Sequence, residues 1–301
     1  MKFRTLELNK PSELHLNNKQ LEITIETEFI SIPIEDLSCL FFIGPDIRIS
    51  TTAISQLVNQ KILLCTLDNK YKPTAIIYPY QCNSRMAKVL NKQIHLTMAF
   101  KNDLWEKIIY KKIDNQIRNL SLLGLTGVNE LSELLSTIEN NNINYLEAIS
   151  AKKYFEHYHP GLNRRIDEPI NSKLNYGYSI IRSAIIRSLV SCGFNPAIGL
   201  HHKSQLNMFN LADDCIEPYR AIVEQCVYSM NGNTLRLSKS ERLEITEVLD
   251  YAVEIDGIKM NVINSITVVC ESLKNAILTN DTTKLKLPTI LPKEMIRNIK
   301  E

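Results

Sequence analysis

The sequence predicts an α+β protein, in which a small β-rich N-terminal domain (residues 1–82) is followed by a larger, all-helical C-terminal domain (residues 83–301). Two observations lead to this prediction. In the first part of the chain, short apolar runs are bounded by Pro, Gly, Asp or Asn, which is typical of strands joined by turns. After Pro79, apolar residues recur every three or four positions, which is the period of an amphipathic helix.

The N-terminal domain is predicted to consist of short strands and one helix. Glu13–Leu16 and Leu21–Ile25 alternate polar and apolar residues on either side of the turn-prone Asn17–Lys19, a pattern that indicates a hairpin. The embedded helix is expected to start near Ser50, which is a candidate N-cap. The remaining predicted strands are Phe3–Leu8, Phe29–Ile34, Cys39–Ile43, Ile62–Leu67 and Thr74–Tyr78.

The C-terminal domain is predicted to be helical throughout. Residues 85–123 contain no proline and keep the helical period, which predicts helix along this stretch. Pro218 is expected to kink or restart the helix that contains it, because proline removes a backbone donor. The segment after Leu287 is expected to form an appendage. The other predicted helices are Asn129–Glu139, Ile143–Tyr158, Asn171–Ser191, Leu211–Tyr228, Arg242–Val253 and Val262–Leu278.

The composition disfavours several classes of protein. The chain carries 35 Lys and Arg against 33 Asp and Glu, a formal net charge of +2, so any nucleic-acid surface must be local. None of the 9 glycines forms the G-x-G or G-x4-G-K pattern of a nucleotide-binding loop. No apolar run approaches the ~18 residues of a membrane span. The 7 cysteines, an odd number without C-x-x-C spacing, favour a reducing compartment, so we expect a cytoplasmic protein without a membrane partner.

Glu147 is the first candidate for chemistry. Helical spacing places it on the same stripe as Ile143, Ala151 and Tyr154, so its carboxylate is expected to face an apolar or aromatic surface. An ionised carboxylate in such a place needs a cation, a metal ion or hydrogen bonds. A salt bridge to Lys or Arg of another helix is the alternative to a metal.

Two adjacent histidines, His201 and His202, form the second candidate. Because neighbouring side chains diverge, at most one of them is expected to bind a metal ion. A surface or capping role is the alternative for each.

The third candidate is the acidic group Asp213, Asp214 and Glu217. Glu217 is separated by three or four residues from a like charge, which costs a few tenths of a kcal/mol on a helix and must be offset. Arg220, three residues further on, is one candidate partner and a divalent cation is the other. Oxygen-rich ligation with one nitrogen suits Mg²⁺ or Mn²⁺ better than structural zinc. Enzymes that make or break phosphodiester bonds commonly use such an ion.

Basic residues close to these candidates could bind a phosphate backbone, although each could equally be a solvated surface charge. The candidates for DNA binding are Arg85, Lys88, Arg164, Arg165, Arg182 and Lys203.

Three ordered motifs follow Glu147: Asn171–Tyr178 (NSKLNYGY), Gly193–His202 (GFNPAIGLHH) and Gln205–Arg220 (QLNMFNLADDCIEPYR). With Glu147, they resemble the CRISPR-associated adaptation integrases, the first-numbered family of Cas proteins. The segments LNYGY and NLADD are most similar to the branch that accompanies type II systems of this antiviral defence. The resemblance covers residues 147–220 by motif and the rest of the chain by domain order and length.

The resemblance implies that Glu147, His202 and Glu217 are catalytic residues and ligands of Mg²⁺ or Mn²⁺. Glu217 stands where other branches of the family have Asp. The implied activity is spacer acquisition, in which the 3′-hydroxyl of a prespacer duplex attacks a phosphodiester of the CRISPR repeat. The implied partners are DNA, a second copy of the chain bound through the β-rich domain, and a dimer of the second-numbered Cas protein in a heterohexamer. The type II effector nuclease is a further candidate partner.

Two other functions remain open from the sequence. A metal-dependent nuclease acting on branched DNA would use the same residues with water in place of the hydroxyl. A non-catalytic DNA-binding scaffold would need none of them.

Overall fold

The computed structural model describes residues 4–60, 62–67, 73–77, 86–137, 143–230 and 234–296, and its architecture confirms the α+β class. The chain divides into two compact units, one up to Met86 and one from Ala87 to Ile296. The predicted boundary between residues 82 and 83 lies within 78–85, outside the described residues, and stays a prediction. Within the described ranges, no helix combines the length and the apolar character needed to cross a bilayer.

The first unit is β-rich, as predicted. The elements are β1 (Arg4–Leu8), β2 (Ser12–Asn17), β3 (Gln20–Ile25), β4 (Glu28–Pro33), β5 (Leu37–Phe42), β6 (Ile47–Ile49), α1 (Thr51–Asn59), β7 (Leu63–Leu67) and β8 (Pro73–Ile77). The described strands form two sheets, with strand orders β1-β5-β7-β8 and β4-β3-β2-β6. Apolar residues from both sheets and from the helix pack into one core that includes Leu14, Ile23, Leu40 and Leu57.

The local sequence explains the predicted hairpin and helix. Asn18 and Lys19 have φ angles of 46° and 62°, and a two-residue hairpin turn with positive φ at both positions matches the twist of the paired strands. The side chain of Ser50 accepts a hydrogen bond from the N–H of Ala53 at 3.2 Å and caps α1. Both predictions are therefore confirmed, whereas β6 was not predicted.

The second unit is mainly helical. The predicted helix over residues 85–123 is two helices, because the side chain of Thr97 caps a new start by accepting from the N–H of Phe100. The predicted break at Pro218 is confirmed as a 3₁₀ turn, Glu217–Tyr219. The helices are α2 (Met86–Ile94), α3 (Met98–Leu122), α4 (Val128–Ser136), α5 (Ile143–Tyr158), α6 (Pro169–Cys192), α7 (Asn210–Ile216), α8 (Arg220–Tyr228), α9 (Lys239–Thr246) and α10 (Val262–Thr279).

The description of this unit as all-helical is wrong in one region. β9 (Tyr251–Ile255), β10 (Ile258–Asn261) and β11 (Thr289–Met295) form an antiparallel sheet in the order β10-β9-β11. The helix predicted over Arg242–Val253 therefore ends at Thr246. The segment after Leu287, which is expected to form an appendage, supplies β11. The cause is the turn Asp256-Gly257, whose φ angles of 51° and 77° close a two-residue hairpin.

Gly177 sets the distance between α6 and α8 in the helical core. A Cβ atom added there would lie 2.4 Å from Cγ1 of Val223 and 3.1 Å from Cγ2 of Ile245. Such close contacts force neighbouring side chains or backbone to move. Glycine is therefore retained in a helix interior, although alanine has the higher helix propensity.

Gly177→Ala is expected to lower the free energy of unfolding by about 1–3 kcal/mol, because overpacking outweighs the gain of about 1 kcal/mol in helix propensity. Urea denaturation measures the change. The double variant Gly177→Ala, Val223→Ala removes the clashing methyl groups and should be more stable than the sum of the single effects predicts. Strict additivity would contradict the steric explanation.

Candidate active site

A cavity of about 930 Å³ in the helical unit brings together the three residues predicted to be catalytic. Glu147 lies on α5, His202 on the loop after α6, and Glu217 on the turn between α7 and α8. Lys112 of α3 and Arg220 of α8 line the same cavity. Elements distant in sequence thus place two carboxylates, one imidazole and two cations around one space.

Glu217 is a buried, ionised carboxylate, with 3% of its side chain exposed. Its Oε1 accepts a hydrogen bond from Nε of Arg220 at 2.9 Å and lies 2.8 Å from Nη2 of the same guanidinium. Nζ of Lys112 lies 2.6 Å from the other oxygen of Glu217, Oε2. Burial by itself would raise the pKa of Glu217, and the charges of Arg220 and Lys112 outweigh it and hold the pKa at about 2.

Lys112 joins the two candidate carboxylates. Its Nζ lies 2.7 Å from Oε1 of Glu147 and 2.6 Å from Oε2 of Glu217, and only 7% of its side chain is exposed. Burial alone would lower the pKa of Lys112, but the two carboxylates raise it above its usual value. Sequence analysis did not identify this residue. The sequence feature that could have identified it is its position on the buried stripe of α3, four residues after Ile108 and seven after Trp105.

Asp214 holds the loop that carries His202. Its buried carboxylate accepts backbone N–H groups from Leu200, His201 and His202 at 2.6, 3.2 and 3.1 Å, and Nδ1–H of His202 at 2.7 Å. Gly199 allows the close approach, since a Cβ there would lie 2.8 Å from Oδ2 of Asp214. The hydrogen bond at Nδ1 fixes the tautomer and leaves Nε2 with its lone pair, the arrangement typical of a metal-ligating histidine.

The two histidines have different surroundings. His202 lines the cavity, whereas the His201 ring stacks on Trp105 with a centroid distance of 4.3 Å. Burial lowers the pKa of His201, and the hydrogen bond to Asp214 raises the pKa of His202. The structure therefore favours His202 as the one of the pair that can serve as a ligand.

In the metal-free protein, the imidazole of His202 is expected to titrate above its usual pKa of 6.5, because Asp214 stabilises the imidazolium. Its contribution to stability is complete below pH 6.5 and is lost as the pH rises through the raised folded-state pKa. Histidine NMR across a pH series measures the midpoint. Asp214→Asn should lower the midpoint clearly, and Asp213→Asn, which removes a more distant charge, should lower it only slightly. Equal shifts in the two variants would contradict this assignment.

Asp213 has its own partner away from the cavity lining. Its Oδ1 lies 2.6 Å from Nε of Arg182, and its Oδ2 accepts from Nδ2 of Asn207 at 2.5 Å. The guanidinium of Arg182 also lies 5.2 Å from the ring centroid of Phe209. Of the acidic group, Glu217 is thus the member that lines the cavity, while Asp214 orients His202.

A sequence model of the family described as CRISPR associated protein Cas1 matches residues 7–247 of the chain. The chain belongs to the Cas1 family. The CRISPR-associated endonuclease Cas1 of Neisseria meningitidis serogroup C (strain 8013) is 29% identical over 297 residues, which are 97% of this chain and 98% of that protein. The predicted family is confirmed.

Two solved structures share the Cas1 fold seen here. A casposase bound to integration product matches with a TM-score of 0.76 and 20% identity, over 100% of this chain and 96% of that one. A Cas6-RT-Cas1–Cas2 complex matches with a TM-score of 0.74 and 19% identity, over 98% of this chain. This chain spans 36% of the chain matched in that complex.

The cavity of this Cas1-family chain contains donor groups of the kind that a divalent cation prefers. The carboxylates of Glu147 and Glu217 line it, together with an imidazole whose Nδ1 is fixed by Asp214. A hard ion such as Mg²⁺ or Mn²⁺ prefers such oxygen donors. Within the described ranges, no three His, Cys, Asp or Glu side chains converge closely enough to enclose an ion, and Nζ of Lys112 lies within 2.7 Å of both glutamates. Both salt-bridge alternatives, Lys112 for Glu147 and Arg220 for Glu217, are present.

The predicted DNA-binding residues have different positions. Arg164 and Arg165 line the cavity, and Arg164 also donates to Asn175 at 3.2 Å. Lys203 directly follows His202 and is exposed, as is Lys88 on α2. Arg182 is paired with Asp213 as described above, and Arg85 lies outside the described residues. Of the five predicted residues that the structure describes, Arg164 and Arg165 are the two that line the candidate active site.

Proposed function

We propose that this protein is a metal-dependent DNA integrase of CRISPR adaptation, which joins the 3′-hydroxyl of a prespacer strand to a phosphodiester of the CRISPR repeat. The observation that carries the proposal is the convergence of Glu147, His202 and Glu217 on one cavity in a chain of the Cas1 family. The casposase structure, which holds an integration product, supports strand transfer as the reaction class for this fold.

In the proposed mechanism, Glu147, His202 and Glu217 would hold Mg²⁺ or Mn²⁺. Such an ion, when bound, would supply Lewis acidity for the attacking hydroxyl and the leaving 3′-oxygen. Arg220 keeps Glu217 ionised, and Asp214 presents Nε2 of His202 to the cavity. One P–O bond forms as another breaks, and the proton lost by the attacking hydroxyl is balanced by the proton gained at the leaving oxygen. The exchange of one phosphodiester for another needs no nucleotide cofactor.

The proposed partners are a prespacer duplex, the CRISPR repeat, a second copy of this chain and Cas2. The similarity to the Cas1 portion of a Cas6-RT-Cas1–Cas2 complex supports the Cas2 partner. The homodimer through the β-rich unit, the heterohexamer and the type II effector nuclease as a further partner are proposed from the family resemblance.

A nuclease acting on branched DNA is the second candidate, favoured by the name of the Neisseria relative, an endonuclease. The same residues would then direct water to the phosphorus. A non-catalytic scaffold is disfavoured, because Glu147, His202 and Glu217 are all present and all face the cavity.

An integration assay tests the proposal. The full chain, with and without its cognate Cas2, is mixed with a labelled duplex bearing free 3′-hydroxyls and a supercoiled repeat plasmid, in Mn²⁺ or EDTA. Metal-dependent transfer of the label to the repeat boundary is the expected result. Cutting without transfer would favour the nuclease, and binding without either reaction in the presence of Cas2 would favour the scaffold.

Arg165→Ala is expected to weaken DNA binding and to reduce the slope of log K against log salt by about one, because one phosphate contact is lost. Fluorescence anisotropy over a salt series measures both quantities. Arg118→Ala is the matched control, since Arg118 is exposed, pairs with Asp114 and does not line the cavity. A slope unchanged by Arg165→Ala would show that this side chain makes no phosphate contact.

A further inference from the structure

The position between the two proposed metal-binding carboxylates is taken by a side chain of the protein itself. Nζ of Lys112 lies 2.7 Å from Glu147 and 2.6 Å from Glu217. The side chain reaches this position from α3, and its ammonium lies at the wall of the cavity. A cation of the protein itself thus lies between the two carboxylates.

This ammonium contributes to the charge balance of the two glutamates. Glu147 and Glu217 carry two negative charges, which Lys112 and Arg220 match. Without Lys112, Glu147 would lose its ion-pair partner and Glu217 would keep only Arg220. Since unpaired carboxylates are costly in a buried place, Lys112 stabilises the metal-free form.

The same ammonium opposes a metal ion. An ion held by Glu147 and Glu217 would bring two positive charges within a few ångströms of Nζ, where screening by water is weak. Both cations cannot stay, so Nζ must leave the carboxylates before the ion can bind. The four-carbon stem of lysine is flexible, so Nζ can move away from the two carboxylates.

Arg220 is not the cation that moves. Its guanidinium binds Oε1 of Glu217 through two nitrogens and lies 4.8 Å from the ring centroid of Tyr178. These contacts hold Arg220 in place and leave Oε2 as the oxygen that an ion would take.

We propose that Lys112 competes with the metal ion for Glu147 and Glu217, and that its ammonium moves to a DNA phosphate when DNA and metal bind together. The inference rests on the proposed function and adds to it a coupling between the two ligands. A phosphate in the cavity gives Nζ a new partner, so DNA should tighten metal binding. By linkage, metal should tighten DNA binding to the same extent. The protein would thereby load its metal preferentially when DNA is present.

Calorimetric titration with Mn²⁺ tests this coupling in the full chain. The proteins are the wild type, Lys112→Met, Lys112→Gln and the control Lys111→Met. Lys111 is the neighbour of Lys112 on α3, but it pairs with Asp114 and does not line this cavity. Each protein is titrated alone and with a duplex that lacks 3′-hydroxyls and therefore cannot react.

Without DNA, Lys112→Met is expected to bind Mn²⁺ about tenfold more tightly than the wild type, within the usual range of coupling between two ligands. Lys111→Met should bind like the wild type. The duplex should tighten Mn²⁺ binding by the wild type and leave that of Lys112→Met nearly unchanged. A thermal melt should show Lys112→Met less stable than the wild type in EDTA and restored by Mn²⁺.

Mn²⁺ binding by both Lys112 variants that equals or is weaker than that of the wild type would overturn the inference and leave the proposed integrase intact. Failure of Mn²⁺ to restore folding of both variants would have the same meaning. Absence of Mn²⁺ binding by every protein, with and without the duplex, would overturn the metal site of the proposed function as well.

Discussion

His202→Ala is expected to lower the rate of strand transfer by a factor of about 1000 or more. The variant removes the imidazole that lines the cavity and with it one ligand of the proposed metal site. A bound metal ion supplies several kcal/mol of transition-state stabilisation, and each 1.4 kcal/mol corresponds to about tenfold in rate. The free energy of unfolding should fall by only about 1 kcal/mol, because His202 is half-exposed and Asp214 keeps its three backbone donors. Single-turnover transfer assays in saturating DNA and urea denaturation measure the two quantities.

His201→Ala is the matched control. His201 is adjacent in sequence, packs on Trp105 and does not line the cavity. Its replacement should leave strand transfer within about tenfold of the wild type, the loss expected when only the support of a ligand is disturbed. Equal losses in the two variants would contradict the assignment of His202 and would indicate that the loop as a whole, rather than one nitrogen, is required.

Local signals in the sequence predicted most of the first unit correctly. The alternation on both sides of Asn18-Lys19 gave the hairpin, and Ser50 gave the start of α1, because turns and caps depend on a few adjacent residues. The same kind of signal is present at Asp256-Gly257, which forms the turn between β9 and β10. The helical period of residues 242–253 wrongly predicts helix across the start of β9, because Tyr251–Ile255 is a short run that suits a strand equally well.

The candidate site was predictable only in part. Spacing alone indicated that Glu147 and Glu217 need compensation, and that one histidine of the pair could be a ligand. The partners were not predictable, since Lys112 is 35 residues from Glu147 in sequence and only the packing of α3 against α5 joins them. The role of Asp214 was equally hidden, because three of its four hydrogen bonds come from backbone N–H groups of a loop that has no periodic pattern.

Asp214→Ala is expected to lower the free energy of unfolding by about 3–5 kcal/mol, the usual effect of removing one partner from a buried charged network. The carboxylate is completely buried and accepts four hydrogen bonds from the loop 200–202. Its loss leaves buried N–H groups without an acceptor, each of which costs about 1–3 kcal/mol. Urea denaturation of the metal-free protein measures the effect.

Asp213→Ala is the control that separates the loss of these hydrogen bonds from the loss of a negative charge. Asp213 is the neighbouring residue with the same charge, but its side chain is partly exposed and pairs with Arg182. Its removal is expected to cost about 1 kcal/mol, as for other partly exposed ion pairs. Asp214→Asn keeps one acceptor oxygen and should lie between the two. This order follows from the number of backbone donors that each carboxylate satisfies. Equal destabilisation by Asp213→Ala and Asp214→Ala would mean that net acidic charge, rather than this buried network, holds His202 at the cavity.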